Sequence, residues 1–301
     1  MKTMRDEFLQ ALSLEMKKDE KIILLSVDFG APVLDKIRIE CKNQIINVGI
    51  AEQNAINLAA GFSLEGFKVF VYGIAPFVSM RCFEQIRINL AALSQLRKMN
   101  VNIISVGAGI SYSMSGPTHH CLEDLSIINT LPNVEIFSPS DPLLTKIYLE
   151  RSLKNNGIKY LRFDAKALEN LCNKEIEMSR GFRVLNEGKD KVAIIATGYM
   201  SQKAHILLKD YNFTLIDLFL INSYDKQALK EHLERHQYVI SLEESFGGLD
   251  EEINSLFKND KKVINLKFQK KYNFEIGDRE FLHSLNNLSI DSIKEVLNDL
   301  I

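Results

Sequence analysis

Apolar positions along this chain recur in two rhythms that alternate with each other. Residues 3 to 18 place Phe8, Leu9, Leu12 and Met16 at helical spacing with charges between them, and Lys21 to Val27 is a short apolar run. That pairing predicts a helix leading into a strand. Further strands are expected at Gln44 to Val48, Phe67 to Tyr72, Val101 to Val106, Asn133 to Phe137 and Ile158 to Phe163. Between them, a helix is expected after Gly49. Another should start at Pro76 and run through Phe77, Phe83, Ile86 and Leu90, and a third follows Ser140-Asp141-Pro142, where a cap precedes a first-turn proline, to about Leu153. The stretch from Asp28 to Asn43 is mixed, with Gly30 and Pro32 marking a loop at the carboxyl end of its strand, where ligands commonly bind in parallel sheets.

Residues 164 to 190 are polar and irregular, and the rhythm resumes beyond them. Strands are expected at 192–197, 214–218, 238–242 and 263–266, alternating with helical patterns near 201–209, 225–236, 249–257 and 290–300. The fold class is therefore α/β, and the second half is expected to be a parallel, doubly wound sheet. The domain reading is residues 1–165, a linker with an entering hairpin over 166–185, and a smaller domain over 186–301.

Composition narrows the function. With 301 residues, 46% hydrophobic and 25% charged, the chain has the balance of a globular protein, and its formal net charge of −2 gives no general attraction for nucleic acid or an acidic membrane. No run reaches the roughly 18 apolar residues of a spanning helix and no signal peptide is visible, so the cytoplasm is expected. Cys41, Cys82, Cys121 and Cys172 are too widely spaced for a zinc knuckle or a redox pair and fit a reducing compartment. No metal-ligand set is expected on this chain. The glycines of residues 107–116 do not follow the dinucleotide fingerprint.

Glu52 needs an explanation. It stands on the first turn of a helix whose positions Ala55, Ile56, Leu58, Ala59, Ala60 and Phe62 cover most of its circumference, so the helix is expected to be enclosed on most sides. Local pattern allows two readings: an acid that satisfies the helix's first N–H groups, or an acid with a functional partner. The surrounding motifs bear on the choice. Gly-Ile-Ala-Glu-Gln-Asn (49–54) precedes Ala-Ala-Gly-Phe (59–62) and Phe-Glu-Gln-Ile-Arg (83–87). Then come Gly-Pro-Thr-His (116–119), Leu-Glu-Asp-Leu (122–125) and Leu-Pro-Asn-Val (131–134), leading to Ser-Pro-Ser-Asp (138–141). In this order and spacing, residues 47–141 resemble the thiamine-diphosphate-binding pyrimidine domain of the transketolase family, which includes 1-deoxyxylulose-5-phosphate synthase. Thr197-Gly198, Leu242-Glu243-Glu244 and Gly247-Gly248-Leu249 resemble that family's C-terminal domain, which serves mainly in assembly.

The resemblance implies roles residue by residue. Glu52 matches the carboxyl that shares a proton with the cofactor's pyrimidine nitrogen, one acid–base group beside a cofactor that carries the hard chemistry. Phe77 falls where an aromatic ring stacks on the aminopyrimidine, and Ile74 at a second position that is often aromatic. Asp28 ends the strand that closes near the cofactor. Arg81 aligns with a basic residue of the deoxyxylulose-phosphate synthases. His119 matches the histidine that faces the substrate, Ser115 stands where many members carry a donor-binding Asp, and Arg162 resembles an arginine that grips the substrate phosphate. On spacing alone, Phe77 is a core ring, Arg81 a solvated charge, His119 a structural histidine and Arg162 half of an interdomain salt bridge. His120 carries no assigned role.

The family's Gly-Asp-Gly plus Asn motif, which binds Mg2+ and the diphosphate on a preceding domain, is not found. The chain therefore resembles the C-terminal subunit of a split transketolase, a transferase active only with an N-terminal partner that binds the Mg2+, in an expected α2β2 heterotetramer acting on sugar or 2-oxo acid substrates. Two alternatives stand beside it: the beta subunit of a 2-oxo acid dehydrogenase, and a noncatalytic scaffold of the same fold, which the departures at Ser115, Gly73 and Ile74 would favour.

Overall fold

Six parallel strands form the first sheet, which explains why its apolar residues come in runs and not in strict alternation. In the computed structural model, which describes residues 2–172, 176–257 and 262–301, the strands lie in the order Ile45–Asn47, Ile22–Ser26, Lys68–Ile74, Asn100–Val106, Gly157–Phe163 and Val134–Phe137. Every pairing is parallel. The helix Met4–Met16 is capped by the Thr3 hydroxyl, which accepts from the Asp6 N–H at 3.1 Å, and it buries Phe8 against Phe70 and Phe163 at ring separations of 6.0 and 5.3 Å. Lys2–Thr3 pairs antiparallel with Ala167–Leu168.

Two local expectations change. Within the mixed stretch 28–43, Pro32 does not mark a loop but opens a helix, Pro32–Glu40, that buries Leu34 and Ile37. A proline fixes the backbone angle of a first helical turn as readily as it breaks a later one. The helix expected from Pro76 to Leu90 is interrupted: Ala75–Ser79 ends in a turn at residues 80–82, and the chain resumes as Phe83–Gln85 and a π-helical stretch, Ile86–Ala92. Arg81 lies in that turn.

The helix Glu52–Leu64 is also less enclosed than its composition implies. Glu52, Ala55, Ile56, Ala59, Ala60 and Ser63 form one buried stripe, while Gln53, Asn54, Asn57, Gly61 and Leu64 are exposed in the single chain.

The second sheet runs Lys262–Leu266, Tyr238–Leu242, Val192–Ala196, Thr214–Leu218, Phe182–Asn186. Its first three pairings are parallel and the last is antiparallel, so the sheet is mixed and not purely parallel. Phe182–Asn186, at the end of the stretch read from sequence as a linker with an entering hairpin, is an edge strand; that stretch also includes residues 173–175, which lie outside the described residues. Alternate residues of each strand serve two cores: Val192, Ile194 and Ala196 face one, with Leu215 and Ile240, and Ala193 and Ile195 face the other, with Ile216 and Val239.

The chain divides into two units, but not at one point along the sequence. The first comprises Met1–Ala108, Ile127–Phe137 and Pro142–Glu169; the second comprises Gly109–Ser126, Ser138–Asp141 and Asn170–Ile301. The loop carrying Ser115 and His119 therefore packs with the second unit.

Within the first sheet, Lys159 stands opposite Asn102, 2% exposed, and its ammonium donates to Asn100 Oδ1 at 3.0 Å and to the Asn155 carbonyl at 2.5 Å. Burial pushes its pKa down to about 7, with Glu135 opposing and Arg151 adding to the shift. The unfolded chain holds this proton up to about pH 10, so between those values it binds more protons than the folded chain and stability rises with pH. Melting temperature should climb from pH 7 toward pH 10 in the wild type, and Lys159→Met should remove that part of the climb. Parallel pH profiles for the two proteins would disprove the assignment.

Candidate active site

The carboxyl ends of the first sheet's strands carry a small set of polar groups. Glu52 follows Gly49, whose φ of +73° makes the sharp exit from the strand Ile45–Asn47, and its side chain is 4% exposed. The helix makes no side-chain cap bond at Ala51. Instead, Glu52 Oε2 accepts from Arg81 Nη1 at 2.9 Å, and Gln53 Nε2 donates to the Arg81 carbonyl at 3.1 Å. The guanidinium also lies over the Phe77 ring, 4.5 Å from its centroid. The break at residues 80–82 produces this arrangement, because Arg81 leaves the helix where it can reach back to the start of another.

Glu52, Arg81 and Phe77 are thus brought together. Gln53, which sequence reading gave only a share in satisfying the helix's first N–H groups, instead holds the turn. Among the described residues Glu52 Oε1 has no hydrogen-bond partner, so one oxygen of this buried side chain remains for a donor such as a protonated or N–H-bearing heterocycle. A carboxyl with one oxygen anchored, beside a phenyl ring, fits the aminopyrimidine that the resemblance assigns to it.

Asp28 lies on the neighbouring strand's exit, exposed, with a φ of +54°. Its N–H donates to Asn47 Oδ1 at 3.1 Å and its Oδ1 accepts from Asn47 Nδ2 at 3.1 Å, while Gly49 N–H donates to the same Asn47 Oδ1 at 3.0 Å. Asn47 therefore ties Asp28 to the turn that presents Glu52. It heads the Asn47-Val48-Gly49 stretch, and a polar residue at a strand's last position was the available signal. Ile74 ends its strand half-buried. Gly73 beside it has no room for a side chain, since a Cβ would meet Val78 Cγ1 at 2.5 Å and Val27 Cγ2 at 2.6 Å. That close packing accounts for the glycine without any loss of function. Arg162 is 3% exposed in the strand Gly157–Phe163, paired in register with Ser105.

In the second unit, Ser115 is exposed at the end of a short 3-10 turn, its N–H donating to the Tyr112 carbonyl at 2.9 Å. His119 is half-buried, with Nδ1 3.0 Å from the Thr118 hydroxyl and its ring edge-on to Tyr112. His120 is buried, with Nε2 3.3 Å from the Ser113 carbonyl, and burial lowers its pKa against the opposing pull of that carbonyl.

Comparison with known proteins bears on the family. Residues 1–169 match the pyrimidine-binding domain of transketolase, and residues 181–271 match the transketolase C-terminal domain. The chain belongs to the transketolase family. It is 30% identical over 255 residues to a subunit of the apulose-4-phosphate transketolase of Phocaeicola vulgatus, spanning 81% of this chain and 80% of that one. It is 31% identical over 211 residues to the subunit of the same name from Actinobacillus succinogenes, spanning 68% and 66%. A solved split gene transketolase, an inactive beta4 tetramer, has the same fold, with a TM-score of 0.84 at 24% identity over 99% of this chain and 98% of that one. Members of the transketolase family depend on thiamine diphosphate. Among the described residues no helix is long and apolar enough to cross a membrane.

The Glu52–Arg81 pair can be tested without any ligand. Arg81→Met leaves a buried carboxylate without its counter-ion and should cost about 1–3 kcal/mol, toward the low end because Arg81 is half-exposed. Adding Glu52→Gln should recover most of the loss. A double-mutant cycle on thermal or urea unfolding reads the coupling, and strictly additive effects would show that the pair is not an interacting unit.

Proposed function

We propose that this chain is the pyrimidine-side subunit of a split, thiamine-diphosphate-dependent transketolase, moving a two-carbon unit from a ketose or 2-oxo acid donor to a sugar aldehyde or ketone. The observation that carries this reading is Glu52: a buried acid whose anchored oxygen faces Arg81 and whose other oxygen is open. Two relatives whose names make each of them one subunit of a transketolase, matched over most of their length, support a separate N-terminal partner. That partner would supply the Mg2+ and diphosphate site, in an α2β2 assembly.

When bound, thiamine diphosphate supplies the carbon nucleophile. This chain's residues would act on its pyrimidine side and on the substrate. Glu52 would share a proton through Oε1 with the cofactor's pyrimidine nitrogen, while Arg81 holds Oε2 and so fixes the plane of that carboxyl. Phe77 offers a flat apolar surface to the ring. Asp28 and Ile74 line neighbouring strand ends. His119 presents an imidazole able to donate to, or take a proton from, a reacting oxygen at neutral pH. Arg162, buried in its strand, has the guanidinium that the resemblance assigns to a substrate phosphate. Ser115 replaces a carboxylate with a neutral hydroxyl, which orients fewer donor hydroxyls.

The chain alone should show no transketolase turnover with thiamine diphosphate and Mg2+, and adding its N-terminal partner should restore it. In that assembly Glu52→Gln should slow proton–deuterium exchange at the cofactor's thiazolium carbon by orders of magnitude, because an amide cannot share the proton. An unchanged exchange rate removes Glu52 from this role.

Ser115 predicts an altered donor preference. The assembled wild type should turn over xylulose 5-phosphate and fructose 6-phosphate weakly, and Ser115→Asp should impair the native reaction by placing an unpartnered carboxylate against a donor with fewer hydroxyls. Efficient turnover of either ketose phosphate by the wild type would refute this.

A further inference from the structure

The loop that carries Ser115, His119 and His120 is seated at both ends on one turn of its own unit, residues 243–250. At its neck, Gly109 and Cys121 exchange backbone hydrogen bonds of 3.1 and 2.8 Å. Gly109 has a φ of +57°, and a Cβ there would overlap the Glu244 carboxylate, so the neck lies directly on that side chain. At the other end, Phe246 N–H donates to the Leu122 carbonyl at 2.7 Å, and a Cβ on Gly248 would fall 2.6 Å from Leu125 Cβ.

Glu244 is itself immobilised. Arg279 Nε and Nη2 reach its two oxygens at 2.8 and 2.5 Å, and His283 Nε2 lies 2.6 Å from Oε1. Lys203, 2% exposed, places Nζ 2.6 Å from His283 Nδ1. An ammonium has only donors, so Nδ1 accepts and the ring proton sits on Nε2, facing the carboxylate. Tyr199 covers the guanidinium of Arg279, 3.5 Å from ring centroid to Cζ. Burial alone would raise the Glu244 pKa, but Arg279 and then His283 more than offset it and hold the carboxyl well below the usual range. The adjacent Glu243 fixes the other side of the turn by accepting from Leu249 N–H at 3.1 Å and Asp250 N–H at 2.9 Å.

We infer that Glu244 is a positioning residue: the Arg279–Glu244–His283–Lys203 chain makes the 243–248 turn a rigid seat for the loop neck and so sets where the His119 imidazole stands. The consequence for catalysis rests on the reading of His119 given above; the seat does not. Its prime test is hydrogen–deuterium exchange on the whole chain, which needs neither partner nor substrate. Glu244→Gln keeps the shape but gives up the charge-assisted bonds, and exchange across residues 110–120 should quicken about tenfold or more, the scale of one lost hydrogen bond to a charged group. The strand Val192–Ala196 of the same unit should keep wild-type protection. Arg279→Lys, which retains the charge and loses the fork, should loosen the same residues to a smaller extent, and it covers the case in which Glu244→Gln fails to fold.

Unchanged protection of residues 110–120, or an equal loss across the strand, would overturn the seat, since a merely structural charge cluster loosens the unit as a whole. If the loop loosens while the assembled enzyme's KM for its donor stays fixed, the seat stands as a structural element and the substrate role of His119 falls.

Discussion

A carboxylate taken out of water must find a partner or give up its charge, and the first unit is arranged around that constraint at Glu52. The strand Ile45–Asn47 stops where Gly49 can turn, and Asn47 holds the turn to Asp28. The helix Glu52–Leu64 then starts with its acid already facing the protein interior. The counter-ion cannot come from the same helix, whose buried stripe is apolar apart from Ser63. It comes from a second helix that breaks at residues 80–82 and delivers Arg81.

This solution shapes the chemistry available. Arg81 makes the two kinds of contact that a pyrimidine ring would need, a hydrogen bond to the carboxylate and a stack on Phe77. Because it uses only Oε2, a second ring can share the acid on Oε1 without first paying to strip the acid of its counter-ion. It must, however, meet Phe77 on surface that the guanidinium does not cover. Of the pair, Arg81 is half-exposed and Glu52 buried.

The legible parts of the sequence were those governed by period. Parallel strands buried on both faces write themselves as apolar runs, and Ile22–Ser26, Asn100–Val106 and Val192–Ala196 all stood out. Glu52 was legible because an acid in an apolar stripe is anomalous. Less visible were features decided by tertiary partners. Pro32 looked like a breaker and is a helix start. Phe182–Asn186 looked irregular because an edge strand has one covered side. The reach of Arg81 depends on a helix break that its apolar spacing, Phe77, Phe83, Ile86 and Leu90, gave no sign of.

Buried charge in the second unit was illegible for the same reason, carried further. Glu243 and Glu244 are adjacent in sequence and have opposite fates: burial raises the first to about 7, whereas Arg279 and His283 drive the second down. No local pattern separates them, because their partners differ in distance along the chain. Glu243 is satisfied by backbone N–H groups six and seven residues on, at the start of the helix Leu249–Phe257, while Glu244 waits for residues 35 and 39 positions away. A helix start compensates a carboxylate with partial charges, but a guanidinium fork does so with a full one. The first arrangement tolerates a proton on the acid. The second does not, and it is the second that lies under the neck of the loop carrying His119.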